Sequence, residues 1–129
     1  MNEEDQTQPT GIAELDGLLR LKDEKNPSGA FLENTTTILI RGGQGAGKTT
    51  LALQILSNQL KRAKHATEEA TKNQYGLFLS LERSAEDAIK YSNNKFGFGI
   101  DAVEGKNPKV AAGQILGIDG RAFTHQSLA

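Results

Sequence analysis

The sequence predicts an α/β domain built on a parallel sheet. Two stretches of strand length, residues 35–41 and 75–81, are each followed by a helical pattern, and a weaker third strand is expected over residues 114–118. The first stretch is continuously apolar at its centre (Ile38, Leu39 and Ile40). A run without alternation is typical of a strand covered on both faces. Right-handed crossovers in a βαβαβ order give a parallel sheet with helices packed on it.

Length, charge and composition limit the classes of protein to which this chain can belong. A length of 129 residues suits one domain with a buried core. The net charge of −1 provides no overall field that would attract nucleic acid or a membrane surface. The absence of cysteine excludes a disulfide scaffold and a thiolate metal site. No apolar run approaches the roughly 20 residues that span a bilayer, and the acidic N-terminus lacks a secretory leader pattern, so we expect a cytoplasmic protein.

The N-terminal part of the chain predicts a flexible arm followed by a short helix. Residues 1–9 are polar and charged, which favours a loosely held arm. Thr10 is placed to cap a helix, with Glu14 near the position of a capping-box partner. Residues 20–34 carry the turn sequence Asn-Pro-Ser-Gly and are predicted to form a loop.

A longer helix is predicted from Lys48 to about His65, because this stretch contains no glycine or proline. Ser57, Asn58 and the basic residues near its end are expected to face solvent. The expected buried face comprises Leu51, Ala52, Ile55, Leu56, Gln59, Leu60 and Ala63.

The second strand is predicted to lead into another helix. Ser84 is expected at its N-cap, and Gly97 is expected to end it after Phe96. One short helical turn is expected near residues 101–104. The predicted inward side chains of the helix are Ala85, Ala88, Ile89, Ser92 and Phe96.

The turn between the first strand and its helix carries the strongest chemical pattern. Gly42, four residues, and then Gly47-Lys48-Thr49 fit the Walker A pattern G-x-x-x-x-G-K-[ST]. Glycines let backbone N–H groups curl around phosphate oxygens, the lysine adds positive charge, and the threonine hydroxyl can ligate Mg²⁺. The predicted nucleotide-binding residues are Gly42, Gly43, Gln44, Gly45, Ala46, Gly47, Lys48, Thr49 and Thr50, with Thr49 as the metal ligand. The alternative is a glycine-rich turn that binds nothing.

Glu82 is the second candidate, at the carboxyl end of the second predicted strand. Ligands of open parallel sheets bind beyond that edge, and a carboxylate there can orient or deprotonate an attacking water. The alternatives are a solvated glutamate that opens the next helix and one paired with Arg83. Arg83 itself is expected to be solvated, and Phe96 and Phe98 to be core residues rather than a base-stacking platform. His65 and His125 have no ligand-type residues at metal spacing.

Three stretches together resemble the RecA-like ATPases, and within them the branch that contains KaiC and RadA. They are TGIAELDGLL at residues 10–19, ILIRGGQGAGKTTLALQIL at residues 38–56, and YGLFLSLERSAEDAIKYSNNKFGF at residues 75–98. The resemblance implies a three-layer P-loop NTPase fold, ATP and Mg²⁺ as ligands, and homo-oligomeric rings or filaments. It also implies catalytic roles for Lys48 at the phosphates and for Glu82 as the water-activating carboxylate.

The sequence departs from that branch in three places. Arg83 stands where a second acidic residue is common, and residues 20–23 replace a glycine cluster. No apolar strand ending in aspartate follows residues 114–118. Residues 10–129 are therefore expected to form the N-terminal portion of the ATPase domain, with a sheet incomplete at its C-terminus and hydrolysis that requires the remainder. The alternatives are a nucleotide-binding regulatory module that does not hydrolyse and, ranked lower, a DNA-recombination ATPase, since no basic stripe argues for nucleic acid.

Overall fold

The structure is a computed structural model that describes residues 7–8, 10–18, 32–33, 37–65, 74–104 and 109–120. The chain divides into two compact units, Met1–Gln59 and Leu60–Ala129. The elements in chain order are β1 (Thr7–Gln8), α1 (Ala13–Leu18), β2 (Leu32–Glu33), α2 (Lys48–Lys64), β3 (Gly76–Ser80), α3 (Ala85–Phe96), β4 (Ala102–Val103) and β5 (Ile115–Asp119).

The first unit contains α1, the short antiparallel pair of β1 with β2, and the start of α2. The predicted cap at Thr10 is present, because the Thr10 hydroxyl accepts a hydrogen bond from the Ile12 N–H at 3.2 Å. Its carboxylate partner is Asp16 rather than the predicted Glu14. The described residues of the predicted arm and loop, Thr7–Gln8 and Leu32–Glu33, instead form the paired strands β1 and β2. The rest of the predicted arm (residues 1–9) and of the predicted loop (residues 20–34) lies outside the described residues.

The predicted helix from Lys48 is confirmed as α2, with His65 in a turn just beyond it. Its buried stripe differs from the predicted one. Leu53 is fully buried and Ala52 is exposed, and Ser57, expected in solvent, is also buried. Hydrophobic periodicity assigns polar residues to the exposed face of a helix. A small hydroxyl side chain that has a hydrogen-bonding partner can nevertheless occupy a tightly packed, buried position.

The second unit is built on a three-stranded sheet in the order β3-β5-β4. Both pairings are parallel: Gly76 lies opposite Ile115 and Ser80 opposite Asp119, while Ala102 of β4 also lies opposite Ile115. The predicted second and third strands and their parallel arrangement are thus confirmed. The turn predicted near residues 101–104 is wrong, because Ala102–Val103 forms the edge strand β4.

Helix α3 follows the predicted boundaries because both of its ends are fixed locally. The Ser84 side chain accepts a hydrogen bond from the Asp87 N–H at 3.0 Å. Gly97 ends the helix at φ 66°, and its N–H donates to the Asn93 carbonyl. Ala85, Ala88, Ile89 and Ser92 are buried as expected.

Helix α3 packs against the sheet where β5 carries a glycine. A Cβ atom at Gly117 would lie 3.2 Å from the Ala85 Cβ, so this glycine allows the helix to approach the strand closely. The prediction that Phe96 points inward is wrong: its side chain is 48% exposed and stacks on Phe98, with 5.5 Å between ring centroids. Phe98 itself is half-buried.

The predicted first strand at residues 35–41 is wrong for the part of it that the structure describes. Residues 37–41 are not in a strand, and Leu39 is 80% exposed rather than buried. A strand exists only through hydrogen bonds to a neighbouring strand, and no described segment pairs with residues 37–41. High β-propensity is not sufficient without that partner.

One face of β3 is apolar and exposed. Side chains of a strand alternate between its two faces, so the odd-numbered residues of this stretch share one face. That face carries Tyr75, Leu77, Leu79 and Leu81, all exposed. Among the described residues, no helix is both long and apolar enough to cross a bilayer.

Candidate functional site

The glycine-rich turn predicted to bind phosphate lies in the first unit and is exposed from Gly42 to Gly47. Its chain reverses through a backbone hydrogen bond from the Ala46 N–H to the Gly43 carbonyl at 3.2 Å. Gly45 and Gly47 adopt positive φ angles of 77° and 87°, which strain any residue with a side chain. A ligand approaching the backbone there would meet no side chain at either glycine.

Lys48 closes this turn from the first residue of α2. Its ammonium donates to the Gly42 carbonyl at 2.7 Å and to the Gly43 carbonyl at 2.9 Å. An ammonium has three N–H donors, so these two bonds leave one for a phosphate oxygen. The lysine therefore fixes the beginning of the turn and also places positive charge beside it.

The start of α2 adds backbone donors to the turn. The first helical bond joins the Leu51 N–H to the Gly47 carbonyl at 2.9 Å. The amides that precede Leu51 therefore belong to the group of N–H donors that a helix leaves without a helical acceptor. Such an N-terminus attracts anions through these donors and through the positive end of the helix dipole.

Thr49 and Thr50 lie in this first helical turn, where Thr49 is exposed and Thr50 is half-buried. The Thr49 hydroxyl is an oxygen donor of the kind that Mg²⁺ accepts. In the described part of the chain, no group of three or more His, Cys, Asp or Glu residues is arranged to hold a metal ion. A metal bound at the turn would be held by the Thr49 hydroxyl.

Glu82 belongs to the second unit and is exposed just beyond the carboxyl end of β3, where the sequence places it. The segment that joins β3 to α3 and contains Glu82 is short and is held by hydrogen bonds. The Ser80 hydroxyl donates to the Arg83 carbonyl, and Ser84 caps α3. The Arg83 guanidinium lies over the Tyr91 ring, 5.7 Å from its centroid, so Arg83 makes a cation–π contact.

A groove of about 450 Å³ also opens in the second unit. Carboxylates dominate its polar lining, which disfavours a phosphate group at this place. Glu104 is largely exposed, but partial loss of contact with water and then the neighbouring Glu86 carboxylate raise its pKa. The lining residues are Ser84, Ala85, Glu86, Glu104, Leu116, Gly117, Ile118 and Asp119.

The raised pKa of Glu104 predicts how the free energy of unfolding depends on pH. The stabilising contribution of a group with a raised pKa is fully present below its ordinary value of 4.5 and is lost as the pH rises through the raised value. We therefore expect Glu104→Gln to increase the free energy of unfolding at pH 7 and to leave it unchanged at pH 3.5. The gain is less than about 1 kcal/mol, because solvent screens this exposed group.

Urea unfolding of both proteins at the two pH values measures this difference, with Glu14→Gln on α1 as the control. An equal effect of Glu104→Gln at pH 3.5 and at pH 7 would contradict the assignment.

A family model described as ATPase: KaiC matches residues 8–114. The chain belongs to the KaiC ATPase family. The match includes the glycine-rich turn, Glu82 and all of α3. It confirms the RecA-like α/β class expected from the sequence, of which the structure shows a parallel sheet with α3 packed on it. No curated protein and no solved structure matches this KaiC-family chain.

Sequence reasoning about the KaiC-family chain did not single out Asp16, and its placement of Asn58 on the solvent-facing side of α2 is wrong, because Asn58 is half-buried and bonded to Thr10. Asp16 lies six residues after Thr10 within TGIAELDGLL, and this short spacing is the signal by which the sequence could have identified Asp16 as a partner of Thr10. Asn58 bonds to the Thr10 carbonyl across 48 residues of chain, and no local pattern marks it.

Proposed function

We propose that this KaiC-family chain binds ATP together with Mg²⁺ through residues 42–50. Membership of an ATPase family supports nucleotide binding in general. The observation that carries the more specific proposal is the position of Lys48, whose ammonium spans the Gly42 and Gly43 carbonyls at the start of a helix of 17 residues. This arrangement unites a point charge, a glycine-rich backbone and a helix N-terminus at one place.

Each part of the turn has a role in this proposal. The amides of Gly45 and Gly47 and the first-turn amides of α2, with Thr50, donate to phosphate oxygens. The Lys48 ammonium donates to the outer phosphates. The Thr49 hydroxyl would hold Mg²⁺, and the ion would supply positive charge that offsets the negative charge of the phosphate oxygens.

Glu82 is proposed to activate the water that attacks the terminal phosphorus. In this step the carboxylate accepts a proton from the water as the new P–O bond forms, and the bond to the leaving ADP oxygen breaks. Support comes from its position beyond the carboxyl end of a parallel strand, which is the edge where ligands of such sheets bind. We also propose that the protein works in the cytoplasm as a homo-oligomer, either a ring or a filament.

The alternative function is a module that binds nucleotide without hydrolysing it. Arg83 favours this alternative, because it stands where a second acidic residue is common in the branch that the sequence resembles. Its contact with Tyr91 holds the guanidinium in the same short link between β3 and α3.

A phosphate series tests the proposal for the turn. We expect ATP and ADP to bind at least about tenfold more tightly than AMP, because the proposed donors address the β- and γ-phosphates. Removal of Mg²⁺ with a chelator should weaken ATP binding. Isothermal titration calorimetry of the wild-type protein measures all four affinities. Equal affinity for ATP and AMP would rule out a phosphate-binding turn.

A further inference from the structure

The segment before α1 is bonded to the same helix that follows the glycine-rich turn. The Asn58 side-chain amide of α2 donates to the Thr10 carbonyl at 3.1 Å. Gly11 makes this approach possible, since a Cβ atom there would lie 2.5 Å from the Asn58 amide nitrogen. Gly11 also adopts a φ of 84°, so both space and backbone conformation require glycine.

Asp16 holds Thr10 in the orientation that this contact needs. Its carboxylate accepts hydrogen bonds from the Thr10 N–H at 2.7 Å, the Thr10 hydroxyl at 2.6 Å and the Gly11 N–H at 3.3 Å. Hydrogen bonds to an ionised carboxylate are stronger than those between neutral groups. Thr10 is 1% exposed, so water does not replace these bonds readily. Thr10, Asp16 and Asn58 are called the Thr10 network below.

The Thr10 network is attached to α2 at a distance from the turn that a helix can bridge rigidly. Asn58 lies ten residues after Lys48, which corresponds to about 15 Å along the helix axis. Leu53, between them, is fully buried. Two attachments at different points along a helix, here the buried Leu53 and the bonded Asn58, hold its direction more firmly than one attachment alone. A bond at Asn58 therefore restrains where the helix N-terminus, with its phosphate-facing amides, is placed.

We propose that the Thr10 network positions the nucleotide-binding turn by fixing the direction of α2. Thr10, Asp16 and Asn58 are positioning residues in this view, and none of them touches the nucleotide. The inference rests on the proposed function, because it assigns an effect on ATP affinity. It also implies reciprocity: if the network aids ATP binding, bound ATP must strengthen the network by the same factor.

Two matched pairs of variants test the inference by calorimetry with Mg·ATP. Thr10→Val keeps the shape of the side chain but loses the hydroxyl, whereas Thr10→Ser keeps the hydroxyl. Asn58→Asp keeps the shape but loses the amide donor, and Asn94→Asp on α3 is its control. We expect Thr10→Val and Asn58→Asp to weaken binding about five- to tenfold, the equivalent of one hydrogen bond. Thr10→Ser and Asn94→Asp should stay within about twofold of the wild type.

Hydrogen exchange of the wild-type protein supplies a readout that does not depend on whether a variant folds. We expect Mg·ATP to slow the exchange of the Thr10, Gly11 and Ile12 amides, all of which donate to the network. In Lys48→Ala, which is expected to bind Mg·ATP about a hundredfold more weakly, an ATP concentration that just saturates the wild type should leave this exchange nearly unchanged.

The outcomes separate the inference from the function on which it rests. Folded Thr10→Val and Asn58→Asp proteins that bind Mg·ATP like the wild type would overturn the inference and leave the proposed function intact. Unchanged exchange at these amides on ATP binding would overturn it as well. A wild-type protein that does not bind Mg·ATP would overturn both.

Discussion

Replacing Lys48 with alanine is expected to weaken Mg·ATP binding by about a hundredfold, roughly 3 kcal/mol, which is the scale of a charge-assisted hydrogen bond plus the loss of a nearby charge. The variant also loses the two bonds from the ammonium to the Gly42 and Gly43 carbonyls, so the turn is no longer held in shape. Both effects act in the same direction. Isothermal titration calorimetry of the wild type and the variant measures the ratio of the two dissociation constants.

Lys61→Ala is the matched control for this experiment. Lys61 is an exposed lysine on the same helix, in its last turn, and its removal changes the net charge by the same amount. We expect its effect on Mg·ATP affinity to be within about twofold, because exposed charges at this separation are largely screened at physiological salt. Equal losses in the two variants would show that the general charge of the protein, and not the turn, binds ATP.

The second large effect is expected on turnover. Glu82→Gln should lower the rate of phosphate release by about a hundredfold or more, since a glutamine cannot accept the proton of the attacking water. The affinity for Mg·ATP should stay within about twofold, because Glu82 is not proposed to contact the nucleotide in its ground state. A steady-state phosphate-release assay and calorimetry on the same protein preparations separate these two quantities.

Glu86→Gln is the control for Glu82→Gln, since Glu86 is an exposed carboxylate in the first turn of α3. Glu86 also pairs with Lys90 at 2.8 Å on the surface. Loss of this pair in Glu86→Gln should therefore lower the free energy of unfolding only slightly and should leave the rate of phosphate release unchanged. A wild-type protein that binds Mg·ATP tightly and releases no phosphate, even when the remainder of the ATPase domain expected from the sequence is supplied, would support the non-hydrolysing module. Equal turnover in wild type and Glu82→Gln would remove Glu82 from the mechanism.

Features with local causes could be predicted from the sequence. Helix α3 begins and ends at Ser84 and Gly97 because the capping bonds join residues three or four positions apart. The shape of the glycine-rich turn is local for the same reason, as its bonds lie between Gly42 and Leu51. Strand β5 was also predicted in spite of Gly117, since its apolar residues lie at strand length beside a turn.

Features that depend on distant parts of the chain could not be predicted in this way. Residues 37–41 have the composition of a strand, but pairing is decided by a partner that the local sequence does not specify. Asn58 has the polarity of a surface residue, and its bond to Thr10 arises only when the chain has folded. Phe96 was placed in the core on its hydrophobicity, yet its ring stacks on Phe98 at the surface, where aromatic pairs also gain stability.

The exposed apolar face of β3 has a practical consequence for handling this protein. Four large side chains follow one another on that face, from Tyr75 to Leu81. Contiguous apolar surface of this kind promotes adhesion between molecules and to chromatography resins. Salting-out anions strengthen such adhesion, whereas low concentrations of urea weaken it. At the same protein concentration, a preparation without sulfate will therefore remain dispersed under conditions in which a sulfate-containing buffer precipitates the protein.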